Sequence, residues 1–144
     1  MNYGAAFNEL GYCLVNNRRD WSAASDSGVC LALFTQLKGV ENKRPYIDYW
    51  EAFPSLDDAE YWIGQSGNSL RKQHIMEAIQ RFERRIDVVL CDGDPQKGFG
   101  NAEPWQVERR KGFWAITRFD PSTGYFRAEV FAPGESVQNK VKEA

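Results

Sequence analysis

One stretch of the chain carries residues suited to binding an anion. It runs from Gly64 to Lys72 and places two glycines just before a predicted helix. Free backbone N–H groups at a helix start bind anions, and the helix dipole favours negative charge there. The candidate anion-binding side chains are those that add donors or positive charge: Ser66, Asn68, Ser69, Arg71 and Lys72. The Gly-Lys-Ser/Thr ending of a Walker loop is absent, and the same residues also suit plain helix capping, so both interpretations stay open.

Groups that act in catalysis are few. The chain has one histidine, His74, which falls at the edge of the apolar stripe of the predicted helix. Asp92 and Asp94 follow an apolar strand, where carboxylates can hold Mg²⁺, although Asp-Gly-Asp-Pro is also an ordinary turn. His74, Asp92 and Asp94 are the catalytic candidates. Since there is no second histidine and no close pair of cysteines, we expect neither a metal site nor a cofactor.

The middle of the chain is unusually aromatic. Six large rings fall in a segment broken by glycine and proline: Tyr46, Tyr49, Trp50, Phe53, Tyr61 and Trp62. Such rings can fold back as a lid on the core. Alternatively, they form a surface that stacks on a planar ligand or base, or that anchors a second subunit. These residues are therefore the candidate ligand or interface residues, and a homodimer is one option.

Composition disfavours several classes of protein. The formal net charge is −2, whereas a large phosphate-binding surface would show as a basic excess, so only a local nucleic-acid patch stays open. No apolar run reaches the roughly 20 residues that span a bilayer, and the start lacks the features of a signal peptide. We therefore expect a cytoplasmic protein without a membrane partner. Its three cysteines, Cys13, Cys30 and Cys91, are expected to be reduced and buried.

Periodicity predicts the elements that would position these residues. A short helix is expected around Tyr3–Leu10, followed by two strands at 21–25 and 29–36, the second apolar on both faces. Residues 37–68 read as mostly loop with short strands or turns. Ser69 is the expected N-cap of a helix reaching about Arg84, with Arg71 and Lys72 on its wet face.

The second half of the chain adds three strands. Ile86–Cys91 is mostly apolar and ends at the Asp92–Pro95 turn. Residues 113–119 and 125–131 flank a turn-rich connection and predict an antiparallel hairpin. In its second strand, Phe126, Ala128 and Val130 are expected to face the core, while Tyr125, Arg127 and Glu129 face water.

Together these elements predict an α+β fold. We expect a mostly antiparallel curved sheet of five or six strands, with an open barrel as a variant, and two helices packed against it. Residues 1–132 form the single domain, and residues 133–144 are a polar C-terminal tail.

A resemblance accompanies this order of elements. The succession includes Trp21-Ser22-Ala23 and the apolar strand that follows it. It also includes Gly67-Asn68 before a helix, and Arg118-Phe119-Asp120 with Thr123-Gly124. Over residues 5–132 it resembles a family of small uncharacterised bacterial proteins carried on mobile DNA, including integron gene cassettes. The resemblance implies a compact stand-alone protein and assigns no activity to any residue.

Two functions follow as expectations. The first is a binding or interaction protein that uses the aromatic segment 46–62 for a small molecule, a nucleotide or a second copy. The second is an enzyme or binder that holds a phosphorylated or nucleic-acid substrate at the Gly64–Lys72 helix start. Binding is favoured over catalysis because nothing else in the sequence collects catalytic groups.

Overall fold

A computed structural model describes residues 1–143. The chain alternates short helices with the strands of one sheet. Its helices are α1 (Tyr3–Glu9), α2 (Tyr49–Ala52), α3 (Leu56–Ile63), α4 (Ser66–Arg81) and α5 (Val107–Arg110). Its strands are β1 (Ser22–Ser25), β2 (Gly28–Phe34), β3 (Lys38–Glu41), β4 (Arg44–Asp48), β5 (Arg85–Asp94), β6 (Gly98–Pro104), β7 (Phe113–Phe119) and β8 (Phe126–Phe131). Single 3-10 turns cover Thr35–Leu37 and Val137–Lys140.

The strands form a mixed sheet in the order β1-β2-β5-β7-β8-β4-β3, with β6 pairing only with β5. Neighbouring strands run antiparallel except β2 and β5, which are parallel. The α+β class and the mostly antiparallel sheet are therefore confirmed. The expected five or six strands and two helices were too few, and the sheet does not close into a barrel.

The centre of the sheet is buried on both faces. All seven residues of β2 are buried, which confirms the prediction of a strand covered on both sides. Leu31 and Leu33 face the larger core beneath α3 and α4, while Cys30 and Ala32 face a smaller one beneath α1. A strand apolar throughout needs cover on both faces, and here helices on opposite sides supply it.

The prediction of mostly loop over residues 37–68 was wrong in one respect. Two short strands are present there, but α2 and α3 fill the rest of the segment. A capping box starts α3: the Ser55 hydroxyl accepts from the Asp58 N–H, and the Asp58 carboxylate accepts from the Ser55 N–H. This reciprocal pairing satisfies backbone donors that a helix end otherwise leaves free. The helix places Ala59 and Trp62 in the core.

The long helix begins earlier than predicted. Its N-cap is Gln65 and not Ser69, so Gly67 and Asn68 lie inside the first turn and are buried. A Cβ at Gly67 would lie 2.4 Å from the Trp21 ring, so only glycine lets α4 approach that ring. Arg71 lies on the buried side of this helix, packed against aromatic rings. The prediction that Arg71 is exposed to solvent was wrong, since Arg71 is only 4 % exposed.

The C-terminal hairpin lies where it was predicted, but the predicted alternation of buried and exposed residues in its second strand is not present. Arg127 and Glu129 are buried and Val130 is only partly so. Arg127 donates to Asp48 at 2.9 Å and to Glu129 at 3.1 Å, and β4 pairs with β8 at the same residues. Because each of these charged side chains has a partner of opposite charge, the face that was predicted to be exposed to water can be buried.

Two further features qualify the sequence expectations. Cys30 and Cys91 are buried, but Cys13 is exposed, contrary to prediction. Past residue 132 the chain still contacts the sheet, because Arg44 pairs with Glu135 at 2.5 Å and the Lys142 N–H donates to the Thr117 carbonyl. None of the helices in residues 1–143 is both long and apolar enough to cross a bilayer.

Candidate functional site

A cavity lined largely by aromatic residues lies where β2 and β5 end. These strands are parallel and α4 connects back between them, so the carboxyl ends of both strands meet the start of α4. Ligands in α/β proteins bind at this position because the strand ends diverge there. The opening, here called the Arg71 cavity, has a volume of about 430 Å³, within the range of small-molecule sites. Its lining residues are Tyr3, Asn17, Arg18, Trp21, Phe34, Leu37, Tyr49, Phe53, Tyr61, Trp62, Gln65, Arg71, Pro95, Gln96, Lys97, Gly98 and Phe99.

Arg71 lies among aromatic rings. Its guanidinium carbon is 4.8 Å from the centre of the Trp21 ring, 5.1 Å from those of Tyr49 and Phe126, and 5.5 Å from that of Trp62. The faces of aromatic rings attract cations, most strongly where water is excluded. The four rings therefore form a box that holds a positive charge in place.

The charge of Arg71 has no counter-ion. Among residues 1–143, no carboxylate lies within 4 Å of its guanidinium. The cavity wall also carries Arg18 and Lys97, and its described residues include no aspartate or glutamate. In a chain of formal net charge −2, this wall is therefore locally positive.

Hydrogen-bond donors without acceptors gather beside that charge. Arg71 Nη1 donates to Tyr49 Oη at 3.2 Å, and Nη2 lies 3.5 Å from Asn68 Oδ1. Within the described part of the chain, Arg71 Nε and Trp62 Nε1 are buried without a partner. The Tyr49 hydroxyl accepts from Arg71 and donates its own hydrogen to nothing in residues 1–143. A buried donor left unpaired costs about 1–3 kcal/mol, so this cluster is suited to an acceptor.

Three of the lining residues form a stack of rings. Phe99 lies between Tyr3 and Phe34, with ring centres 4.4 and 4.7 Å apart and planes within 16° and 8° of parallel. Phe99 comes from β6, Tyr3 from α1 and Phe34 from the end of β2. The cavity is therefore lined by this aromatic stack as well as by Arg71 and Trp62.

The structure divides the predicted aromatic set. Tyr49, Phe53, Tyr61 and Trp62 line the cavity. Burial, with Tyr49 and Asp94 nearby, raises the pKa of Tyr61 and keeps its hydroxyl neutral. Tyr46 and Trp50 lie elsewhere and carry arginines on their faces, Arg127 at 4.2 Å and Arg118 at 3.9 Å.

Only one of the predicted anion-binding side chains lines the cavity, and it is Arg71. The Asn68 amide is buried and donates to the carbonyls of Ile63 and Thr123, which joins α4 to α3 and to the C-terminal hairpin. Ser66 and Ser69 are exposed, and Lys72 is partly buried away from the cavity. Of the predicted anion-binding set, the structure therefore brings only the Arg71 side chain to the cavity, and the backbone at the start of α4 contributes none of its positive charge.

The catalytic candidates do not meet. His74 Nδ1 lies 2.7 Å from the hydroxyl of the buried Ser22, and burial lowers the pKa of the imidazole. Asp92 is exposed, and Asp94 accepts from the Gln96 N–H in the β5–β6 turn. None of the three lines the cavity, and no group of three His, Cys, Asp or Glu side chains in residues 1–143 is placed to hold a metal ion.

Several lining residues escaped sequence analysis. Tyr3, Trp21 and Phe34 were assigned to elements but not to a site, and Phe99 was not assigned at all. A signal for Phe99 was present, because a large ring between two glycines, Gly98 and Gly100, has no role in an ordinary turn. The others come together only through the parallel pairing of β2 and β5, which local patterns do not reveal.

Comparisons with known proteins leave the assignment to this geometry. No family model, no curated protein and no solved structure matches the chain.

Proposed function

We propose that the protein binds a small anionic ligand in the Arg71 cavity. The observation that carries this function is a buried arginine, Arg71, which is 4 % exposed and has no carboxylate within 4 Å of its guanidinium among residues 1–143. Burying a charge costs several kcal/mol unless it is paired. Aromatic rings return about 0.5–2 kcal/mol through cation–π contacts, so an anion would improve the balance.

The surrounding donors support the same function. Arg71 Nε and Trp62 Nε1 are buried beside the cavity without an acceptor in residues 1–143, the Tyr49 hydroxyl donates to nothing there, and the basic side chains of Arg18 and Lys97 add attraction for an anion at the wall. A site built from donors and positive charge selects ligands that only accept hydrogen bonds. Carboxylates and phosphates have this property.

Binding is favoured over catalysis by the chemistry of the wall. Among the described lining residues there is no Ser, Thr, Cys, His, Asp or Glu, the side chains that most often serve as nucleophile or general base. The aromatic segment then acts as the inner surface of a binding site. Trp21 and Trp62 line it, which gives a direct optical signal.

The test is a tryptophan-fluorescence titration with small probes that share one ring. Benzoate and phenyl phosphate are anionic, and benzamide is a neutral counterpart. We expect both anions to change the emission with saturation and benzamide to bind at least tenfold more weakly. Equal binding of benzamide would show that the ring alone is recognised.

Two matched variants locate the binding site. Arg71→Met removes the charge inside the cavity, and Arg81→Met makes the same change on the exposed side of α4, where Arg81 pairs with Glu77. We expect at least a tenfold loss of anion affinity for Arg71→Met and no more than a twofold change for Arg81→Met. Arg71→Lys keeps the charge and should retain part of the affinity. Unchanged binding by a folded Arg71→Met protein would refute the proposed function.

A further inference from the structure

The Arg71 cavity also restricts the chemistry of its ligand. Resting on the proposed function, we infer that the ligand is a singly charged carboxylate attached to a flat ring, and that phosphate monoesters are discriminated against. Three features carry this inference: the number of buried charges in the cavity, the shape of the donor cluster and the aromatic lining.

The cavity has one buried positive charge. Arg71 is the single buried cation of the cavity, whereas Arg18 and Lys97 are exposed. A carboxylate carries one negative charge, which one guanidinium neutralises. A phosphate monoester carries about −1.5 to −2 at pH 7 and would bring unpaired charge among aromatic rings. Because unpaired charge is strongly disfavoured in an apolar setting, the carboxylate is the better match.

The donors suit a planar head group. The guanidinium is flat, and its fork of N–H groups matches the two oxygens of a carboxylate. Its Nη1 donates to the Tyr49 hydroxyl. This hydroxyl and the unpaired Nε of Arg71 therefore belong to one small cluster of donors. Trp62 Nε1 belongs to a ring that meets Tyr49 edge-on, with centres 5.3 Å apart. This donor set is small and apolar at its edges, whereas the many oxygens of a phosphate usually require several cations or backbone N–H groups.

The aromatic lining suits a flat body. The Tyr3–Phe99–Phe34 rings are nearly parallel to one another, and they line the cavity together with Tyr61 and Trp62. Aromatic rings gain about 0.5–1.5 kcal/mol per pair beyond their buried area when they meet another ring in stacked or edge-on geometry. A puckered aliphatic ring of the same size receives no such contribution. A ligand with its carboxylate at Arg71 therefore gains most when its body is a planar ring in contact with these residues.

Three probes test the contribution of the head group and that of the flat ring separately. Benzoate and phenyl phosphate share the ring and differ in the head group, while benzoate and cyclohexanecarboxylate share the head group and differ in flatness. By isothermal titration at pH 7.5, we expect benzoate to bind at least tenfold more tightly than either of the other two. A smaller preference over phenyl phosphate overturns the carboxylate assignment, and a smaller preference over cyclohexanecarboxylate overturns the flat ring.

A change of pH tests the reason for the preference. The second pKa of a phosphate monoester is about 6, so phenyl phosphate is largely singly charged at pH 5. We expect its affinity to rise between pH 7.5 and pH 5 relative to that of benzoate, and a constant ratio would overturn the charge-matching explanation. These outcomes are separate from failure of the proposed function, in which neither anion binds or Arg71→Met binds them as the natural chain does.

Discussion

Arg71 Nη1 donates to the Tyr49 hydroxyl across 3.2 Å, and this contact joins the one buried cation of the cavity to α2. The hydroxyl hydrogen of Tyr49 is left to donate to a ligand. Asp48 accepts from the N–H groups of Trp50 and Glu51 and so fixes the start of that helix. The position of the donor is therefore set by the sheet through β4.

Tyr49→Phe removes this hydroxyl and keeps the ring. We expect a folded protein whose affinity for benzoate falls by about tenfold to 150-fold, the equivalent of one hydrogen bond to a charged group at about 1.5–3 kcal/mol. Fluorescence titration measures it. Tyr46→Phe is the control, since Tyr46 bonds to Glu51 outside the cavity and should leave affinity unchanged. Equal losses in both variants would mean that the hydroxyl acts through stability alone.

Substitution by methionine should change the free energy of unfolding by very different amounts at the two buried arginines. Arg127→Met leaves the buried carboxylate of Asp48 without its cation and leaves Glu129 with only Arg44, at 3.8 Å, so the free energy of unfolding should fall by about 3–5 kcal/mol. Arg71→Met leaves no carboxylate behind, and we expect a change within about 1 kcal/mol. Urea unfolding of both variants, without added anions, makes the comparison. A large loss for Arg71→Met would assign Arg71 a structural role.

Gly67 permits the close contact between α4 and Trp21. Gly67→Ala places a methyl group 2.4 Å from the ring, and we expect it to lower the free energy of unfolding by about 1–3 kcal/mol through overpacking. Gly64→Ala is the matched control, because a Cβ there meets nothing within 4 Å and φ is −84°. It should be neutral or stabilising by up to about 1 kcal/mol. Equal effects in both variants would show that the Trp21 contact has no energetic importance.

The cysteines should differ sharply in reactivity. Cys13 is exposed, whereas burial raises the pKa of Cys91 to about 12, with Asp92 adding to the effect, and burial also raises that of Cys30 well above its usual range. With a disulfide reagent at pH 8, we expect one thiol per native chain to react quickly and all three after denaturation. Cys13→Ser should abolish the fast phase. A second fast thiol in that variant would contradict the enclosed positions of Cys30 and Cys91.

His74 should make stability depend on pH. Burial lowers its pKa in the folded protein below the value of about 6.5 in the unfolded chain, so the unfolded state binds the proton more readily. The free energy of unfolding should therefore fall as the pH drops from 7.5 to 5.5. His74→Gln should flatten this part of the profile, as measured by urea unfolding at several pH values. A parallel decline in the variant would assign the effect to other groups.

Sequence reasoning succeeded where one element's own residues decide the outcome. The apolar run of β2 and the flanked turn of the C-terminal hairpin located those strands to within a residue or two. It failed where a distant element decides. Arg71 occupies a position on α4 that reads as solvent-facing. Rings from other parts of the chain, those of Trp21, Tyr49, Trp62 and Phe126, pack around it and make that position internal.

Charged pairing explains another failure. Arg127 and Glu129 alternate with apolar residues in the way that a half-exposed strand does, and their burial depends on Asp48, 79 residues away from Arg127 in the chain. The strand β6 was missed because glycine, asparagine and proline make it a poor strand by propensity. Its pairing with β5 in a hairpin overrides that preference.

The parallel pairing of β2 with β5 has a consequence for the order of folding. Phe34 pairs with Cys91 across a separation that contains β3, β4, α2, α3 and α4. Closing so long a loop costs chain entropy before the contacts that repay it can form. Trp21 and Trp62 reach their cavity positions only when that closure is complete. We therefore expect the native fluorescence of these two tryptophans to appear late in refolding, after the C-terminal hairpin has paired.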